Sequence, residues 1–398
     1  MSATPSAEAA VTKQTAAITD HNELLNRTRA LLPLVKSFTD QHDKERDVAP
    51  EVVSALREAG LFRLFQPRRW GGYQSDPRTQ FEVQNLLAEV CMSTAWIQGV
   101  LGVQAFVLAL MDEQAQADVW ADNADTLMSS SFMPVGKVTP VDGGYRISGQ
   151  WAFSSGSTHA QWAIVGGMVP PAAEGHPPSM RLFLVPRDDY EIIDTWHTFG
   201  LRGTGSNDLK VEDVFVPAYR THQPSPGMVP TVDATHLPPL YRLPWLYMFT
   251  CSVSNLAIGG ARGGLKAFID IEKVRVSSMT GKPGREDPAV HAAAARLSAE
   301  IDTIDNQYKR HIGRMLDAID AGEAIPVPEG LMMRTQLTSG LRGLAKLVDD
   351  MQLLLGGRGI RTDSPLSRIW LDLCAARAHP GNDPGMISPV YGKALLDS

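Results

Sequence analysis

The feature that most constrains this chain is a double change of periodicity. Up to about residue 125 the apolar residues recur at helical spacing. From Thr126 to about residue 225 that pattern gives way to short runs of β-formers separated by Gly, Pro and Ser. From Leu240 the helical pattern returns and persists to the end. A chain that is helical, then β, then helical again has few folds open to it. The expected class is mainly α with a central β-domain: an N-terminal helical domain over 19–125, a small β-sandwich or barrel over 126–225, and a C-terminal four-helix bundle over 226–398. Residues 1–18, rich in Ala, Ser and Thr, read as a flexible tail.

In the first helical part, Leu24, Leu25, Leu31, Leu32, Leu34, Val35 and Phe38 form an apolar stripe, complicated by Pro33. Pro50 opens a short helix that Gly60 closes. Ser93 to Met111 has few charges and reads as a helix buried on all sides, which makes Gln98 and Gln104 polar residues in an apolar setting. Candidate strands are 126–132, 144–148, 162–168, 181–186, 190–196 and 209–216. The bundle helices are expected over 252–274, 288–321, 330–355 and 367–378.

Bulk properties exclude several functions. The 398 residues carry a formal net charge of −7, which argues against a nucleic-acid or anionic-membrane binder. No uninterrupted apolar run reaches membrane-spanning length. Cys91, Cys251 and Cys374 are far apart and have no metal spacing, so no metal site is expected and a reduced, cytoplasmic setting fits.

Between two β-like runs stands Trp151-Ala152-Phe153-Ser154-Ser155-Gly156. Two aromatics, two hydroxyls and a glycine suit a flat, polar-edged heterocycle. They also suit an ordinary Ser/Gly hairpin turn.

In combination, the motifs decide more. They are Phe65-Gln66-Pro67-Arg68-Arg69-Trp70-Gly71-Gly72, Ser93-Thr94-Ala95-Trp96, Ser129-Ser130-Ser131, the Trp151–Gly156 run, Gly200-Leu201-Arg202-Gly203-Thr204-Gly205-Ser206-Asn207-Asp208, Arg377-Ala378-His379 and Asn382-Asp383-Pro384. In this order they resemble the acyl-CoA dehydrogenase fold, and within it the oxygenase components of two-component flavin-dependent monooxygenases. The dehydrogenase alternative needs a glutamate base. None stands in Leu371–Pro380, and Phe249–Phe268 contains no acid.

The resemblance implies reduced flavin (FADH2 or FMNH2) supplied by a separate NAD(P)H:flavin reductase, reaction with O2 to a C4a-hydroperoxide, and oxygen transfer to an aromatic or heteroaromatic small molecule. N- or S-oxygenation by the same intermediate is the alternative outcome. It further implies a homotetramer. Ser155 matches the serine near flavin N5, and Trp151, Phe153 and Ser154 accompany it. His379 matches a histidine near C4a that gives a proton to the nascent peroxide. Arg202, Thr204, Ser206, Arg285, Gly356 and Gly357 fall in the segments that hold flavin phosphates. Trp96, Gln104, Ser130, Arg242 and Trp245 fall around the substrate. Gln104 departs from the pattern, because phenol hydroxylases usually carry histidine there. Glutamine orients a hydroxyl but cannot deprotonate it near neutral pH.

Overall fold

The computed structural model describes residues 21–171, 177–225, 227–276 and 281–397. The expected tail, 1–18, lies outside them. The helical stripe of the first part splits in two: α1 (His21–Ser37) absorbs Pro33, and α2 (Thr39–Glu45) ends at Arg46 in the left-handed region. Then come α3 (Pro50–Glu58) and α4 (Pro77–Ala88). Asp76 caps α4 by accepting the Arg78 N–H, and Pro77 takes the first turn, where a missing N–H costs nothing.

The buried apolar helix is α5 (Met92–Ala109). It is long and apolar enough to cross a membrane, but 94% of it is buried inside this protein. Its amides explain how polar groups survive there. Gln98 donates to the Leu61 carbonyl and exchanges bonds with Gln80 on α4. It is therefore a structural amide. A short helix, α6 (Glu113–Trp120), closes this part.

The middle segment forms one mixed seven-stranded sheet, ordered β5-β6-β2-β1-β3-β4-β7, and not a pair of sheets. The strands are β1 (Met128–Val141), β2 (Gly144–Ser154), β3 (Trp162–Val169), β4 (Ser179–Pro186), β5 (Glu191–Ile193), β6 (Asn207–Pro217) and β7 (Thr221–His222). β1 and β3 run parallel; the other pairs are antiparallel. The strand expected at 144–148 extends through Ser154, so the motif that looked like a turn is the end of β2.

Helices then resume. The run expected from 252 divides into α7 (Trp245–Ser254) and α8 (Leu256–Val274). α9 (Pro288–Ala321) is capped by Asp287 and ended by Gly322 at φ +68°. α10 (Val327–Leu355), α11 (Pro365–Ala376) and α12 (Ser388–Leu396) follow. One large apolar core unites the helices and reaches β1, β3 and β4, whereas a second small core, including Trp151, lies within the sheet.

Candidate active site

The end of β2 is irregular. Its pairing with β6 shifts register between Trp151 and Ser154, and Phe153 sits at φ +67°. A non-glycine residue there is strained, and such strain tends to be kept where a site needs it. The shift has a clear consequence. Trp151 and Ser154 point inward, while Phe153 is thrown outward and stays 62% exposed, edge-on to Trp196.

Ser155 then begins a chain of hydroxyls. Its Oγ lies 2.7 Å from Ser206 Oγ, which lies 2.6 Å from Thr204 Oγ1, and Thr204 donates to the Leu201 carbonyl at 2.9 Å. Because a carbonyl only accepts, the direction of every proton follows. Thr204 gives its proton to Leu201, Ser206 to Thr204, and Ser155 to Ser206. The Trp96 indole donates to Ser155 Oγ at 3.0 Å. Ser155 is thus left with one acceptor position and no proton to offer.

Facing Trp96 is His379, in the turn after α11, with ring centroids 5.6 Å apart. Phe249 of α7 lies on another side at 6.0 Å. Phe132 and Trp245 continue the aromatic wall, at 4.8 Å from Phe249 to Phe132 and 5.5 Å from Phe132 to Trp245. His379 Nδ1 accepts the Gly381 N–H at 2.9 Å. The neutral ring therefore carries its proton on Nε2, for which no hydrogen bond is seen among the described residues. Burial, reinforced by the Arg334 guanidinium, pushes the imidazole down to about 4. At neutral pH His379 is an uncharged hydrogen-bond donor. The Nε2–H is the group this ring offers to an oxygen.

The chain as a whole is similar to known proteins. The description "Acyl-CoA dehydrogenase, C-terminal domain" matches residues 251–384. The chain is 35% identical to the flavin-dependent monooxygenase oxygenase subunit HsaA of Rhodococcus jostii, over 92% of this chain and 97% of that protein. The chain belongs to the oxygenase subunits of the flavin-dependent monooxygenases. The oxygenase component of the FADH2-dependent resorcinol hydroxylase of a Rhizobium species is 31% identical over 94% of each chain. Among solved structures, the 3-HSA hydroxylase of Rhodococcus sp. RHA1 superposes with a TM-score of 0.87 at 34% identity, over 94% of this chain and 97% of that one. The fold is the acyl-CoA dehydrogenase-like one.

In this oxygenase subunit several expected site residues have other duties. Trp151 is fully buried in the sheet core, its indole donating to the Gly166 carbonyl at 2.7 Å, so it has no face to offer a flavin. Ser154 is also fully buried, with its hydroxyl unpaired. The side chains of Thr204 and Ser206 are buried and bonded in the hydroxyl chain behind Ser155. Arg202 donates to the Asp43 and Thr198 carbonyls. Arg242 donates to the Thr231 and Val232 carbonyls and so clamps the Pro-rich connection, while Tyr241 donates to the Phe65 carbonyl. Both side chains are thus engaged by the protein's own backbone. Trp245 donates to the Ser225 carbonyl but keeps its ring on the aromatic wall.

Arg285, Gly356 and Gly357 are exposed, at the far ends of bundle helices. Their segments adjoin, since Gly284 N–H donates to the Arg275 carbonyl and Arg275 donates to the Leu354 carbonyl. Nothing described links them to Ser155. Gln104 sits two turns beyond Trp96 on α5. Its NH2 donates to the Val100 carbonyl and to Ser130 Oγ, at 2.8 and 2.9 Å. The Val100 carbonyl fixes which end is which, and the buried Oε1 is left without a partner. Phe132, Phe249, Gly381 and Arg334 were not singled out from sequence. The phenylalanines lie in apolar runs that look like any core segment, although Gly381 stands within the His379–Pro384 motif itself.

Proposed function

We propose that this chain takes reduced flavin from a separate NAD(P)H-dependent reductase and uses it with O2 to hydroxylate an aromatic or heteroaromatic small molecule. The observation that carries the reading is the pairing of opposites beside Trp96. Ser155 Oγ is an open acceptor and His379 Nε2–H an open donor. The residues fit a reduced flavin, whose N5–H needs an acceptor that cannot itself donate. Bound reduced flavin supplies the electrons, so that one oxygen atom enters the substrate and the other leaves as water.

The chain's own residues do the rest. Ser155 holds the N5 proton in place, and the hydroxyl chain behind it prevents Ser155 from turning donor. His379 offers Nε2–H where negative charge develops on oxygen. Exposed Phe153 provides an apolar face. Trp96, Phe249, Phe132 and Trp245 exclude water from the reacting centre. Gln104 Oε1 is an acceptor for a substrate N–H or O–H, and Ser130 supports the amide that presents it.

A homotetramer also suits the chain. Val274, Leu353 and Ile360 are 81%, 71% and 77% exposed beside the Arg285 and Gly356 segments, so a second copy covering them would shield apolar surface and enclose those segments.

The test is a product assay under 18O2 with a supplied flavin reductase and a panel of phenols, indoles, amines and sulfides. One labelled oxygen atom in a ring-hydroxylated product is expected. Label found only in H2O2 with every substrate would remove the reading.

A further inference from the structure

Arg334 of α10 is anomalous. It is buried, yet no carboxylate lies within ion-pair distance of it among the described residues. Its neighbours are Tyr247, Cys251 and Tyr308, none of them an anion at neutral pH, and burial lowers its own pKa. Nη1 has no hydrogen-bond partner among the described residues. An unpaired buried cation is costly, and a well-packed apolar residue of similar size is often no worse for stability. Packing alone therefore gives no reason for an arginine here.

Its one hydrogen bond among the described residues supplies a reason. Nη2 donates to the Gly381 carbonyl at 2.7 Å. The N–H of the same residue donates to His379 Nδ1 at 2.9 Å. The rest of the turn is stapled through Asn382. Asn382, fully buried, donates to the Val253 and Ala376 carbonyls and accepts from Ser254, and its backbone N–H donates to the His379 carbonyl. Asn382 thus holds the turn's path, and Arg334 anchors the carbonyl of Gly381, the residue whose N–H selects the tautomer. Gly381 itself is required at that place, since a Cβ on it would stand 2.9 Å from His379 Nδ1.

We propose that Arg334 is a positioning residue for His379, acting through the placement of Gly381 to keep the imidazole with its proton on Nε2. This rests on the reading of His379 as the oxygen-facing donor. By anchoring the Gly381 carbonyl, Arg334 fixes the orientation of Gly381 and so keeps the Gly381 N–H, on the preceding peptide plane, aimed at Nδ1. Its charge also opposes protonation of the ring, which would set Nδ1–H against Gly381 N–H. The other faces of the imidazole carry no charge: Trp96 comes from α5 and Phe249 from α7. Of the charged groups flanking the turn, Arg377 is exposed and bonded to Cys374, and Asp383 is exposed, caps Gly385 and faces Arg342.

The test uses the flavin-free full-length protein with 15N-labelled histidine, His379→Gln identifying the resonances. Wild type should show a single Nε2–H tautomer at pH 7 and protonate only well below the usual histidine range. In Arg334→Met the Nδ1–H form should appear and protonation should move up by about one pH unit. Arg334→Lys, which keeps the charge, should hold protonation low. Arg334→Gln, which keeps only a donor, should hold the tautomer but let protonation rise. An Arg334→Met protein with wild-type melting and an unchanged His379 tautomer and titration overturns the proposal. If Arg334→Met does not fold, identical titrations in the Lys and Gln variants overturn it equally. The expected spectra combined with absent 18O incorporation would instead sink the functional reading and leave the positioning role standing.

Discussion

Trp96 Nε1–H donates to Ser155 Oγ at 3.0 Å, joining the buried helix α5 to the end of strand β2 across 59 positions of sequence. The bond fills one acceptor position of Ser155 and the Trp96 ring faces His379, so a single side chain sets the spacing of the acceptor and the donor. Trp96→Phe should keep the aromatic wall but lose the bond. The expected cost is about 1 kcal/mol, the usual net worth of one buried hydrogen bond, read by urea unfolding. Coupling should suffer more than stability, with a larger share of O2 lost as H2O2 in a peroxide assay.

Ser206→Ala cuts the hydroxyl chain one step behind Ser155. The Ser155 proton is then released from Ser206 and can turn toward the cavity, where it would meet flavin N5–H donor to donor. Reduced-flavin affinity should fall several-fold and H2O2 release should rise, while Thr204 keeps its own bond to Leu201. Wild-type coupling in this variant would mean that Ser155 is not held as an acceptor.

Gln104 presents an acceptor, not a base. Gln104→Met, close in volume, removes Oε1 and should lower kcat/KM by about tenfold for substrates bearing an N–H or O–H at that position, a loss of about 1.4 kcal/mol. Substrates lacking the donor should be nearly unaffected. Gln104→His should favour phenols and give their kcat/KM a pH dependence that wild type lacks.

Acid should unfold this protein over a defined window. His42, His222, His311 and His379 are each pushed down to about 4, chiefly by burial. The unfolded chain then binds more protons than the folded one between that value and about 6.5. The stability these groups contribute is complete above about 6.5 and is lost as pH falls toward 4. Melting temperatures measured from pH 7 down to pH 4 should drop through that interval.

Asp372 acts in the opposite sense. Burial on α11 pushes its carboxyl up to about 7, although it accepts the Leu201 N–H at 2.6 Å. Here the folded state is the one that holds the extra proton, so stability is lost as pH rises from the usual carboxylate range toward 7. Asp372→Asn keeps the acceptor and removes the ionisation. The variant should melt higher than wild type at pH 8 and the same at pH 4.

The helix–sheet–helix order, the buried character of α5 and the motifs of the site are properties of short stretches, because hydrophobic period and turn residues act locally. They were therefore legible in the sequence, as were Ser155, His379 and Trp96 as the residues to watch. What the stretches could not show is where each side chain points. One register shift in β2 turned Trp151 and Ser154 inward and Phe153 outward, and no local signal announces a shift set by pairing with β6. The carbonyls of Leu201, Thr231 and Val232 decided that the Thr204 and Arg242 side chains serve the protein's own backbone, with Ser206 bonded to Thr204 behind Ser155. The protonation of His379 depends on Gly381 beside it and on Arg334, 45 residues earlier on a different helix. The chain by itself thus determined its layers and the chemical types at its site. Only the tertiary structure decided donor from acceptor and charged from neutral, since those depend on burial and on partners brought from distant parts of the sequence.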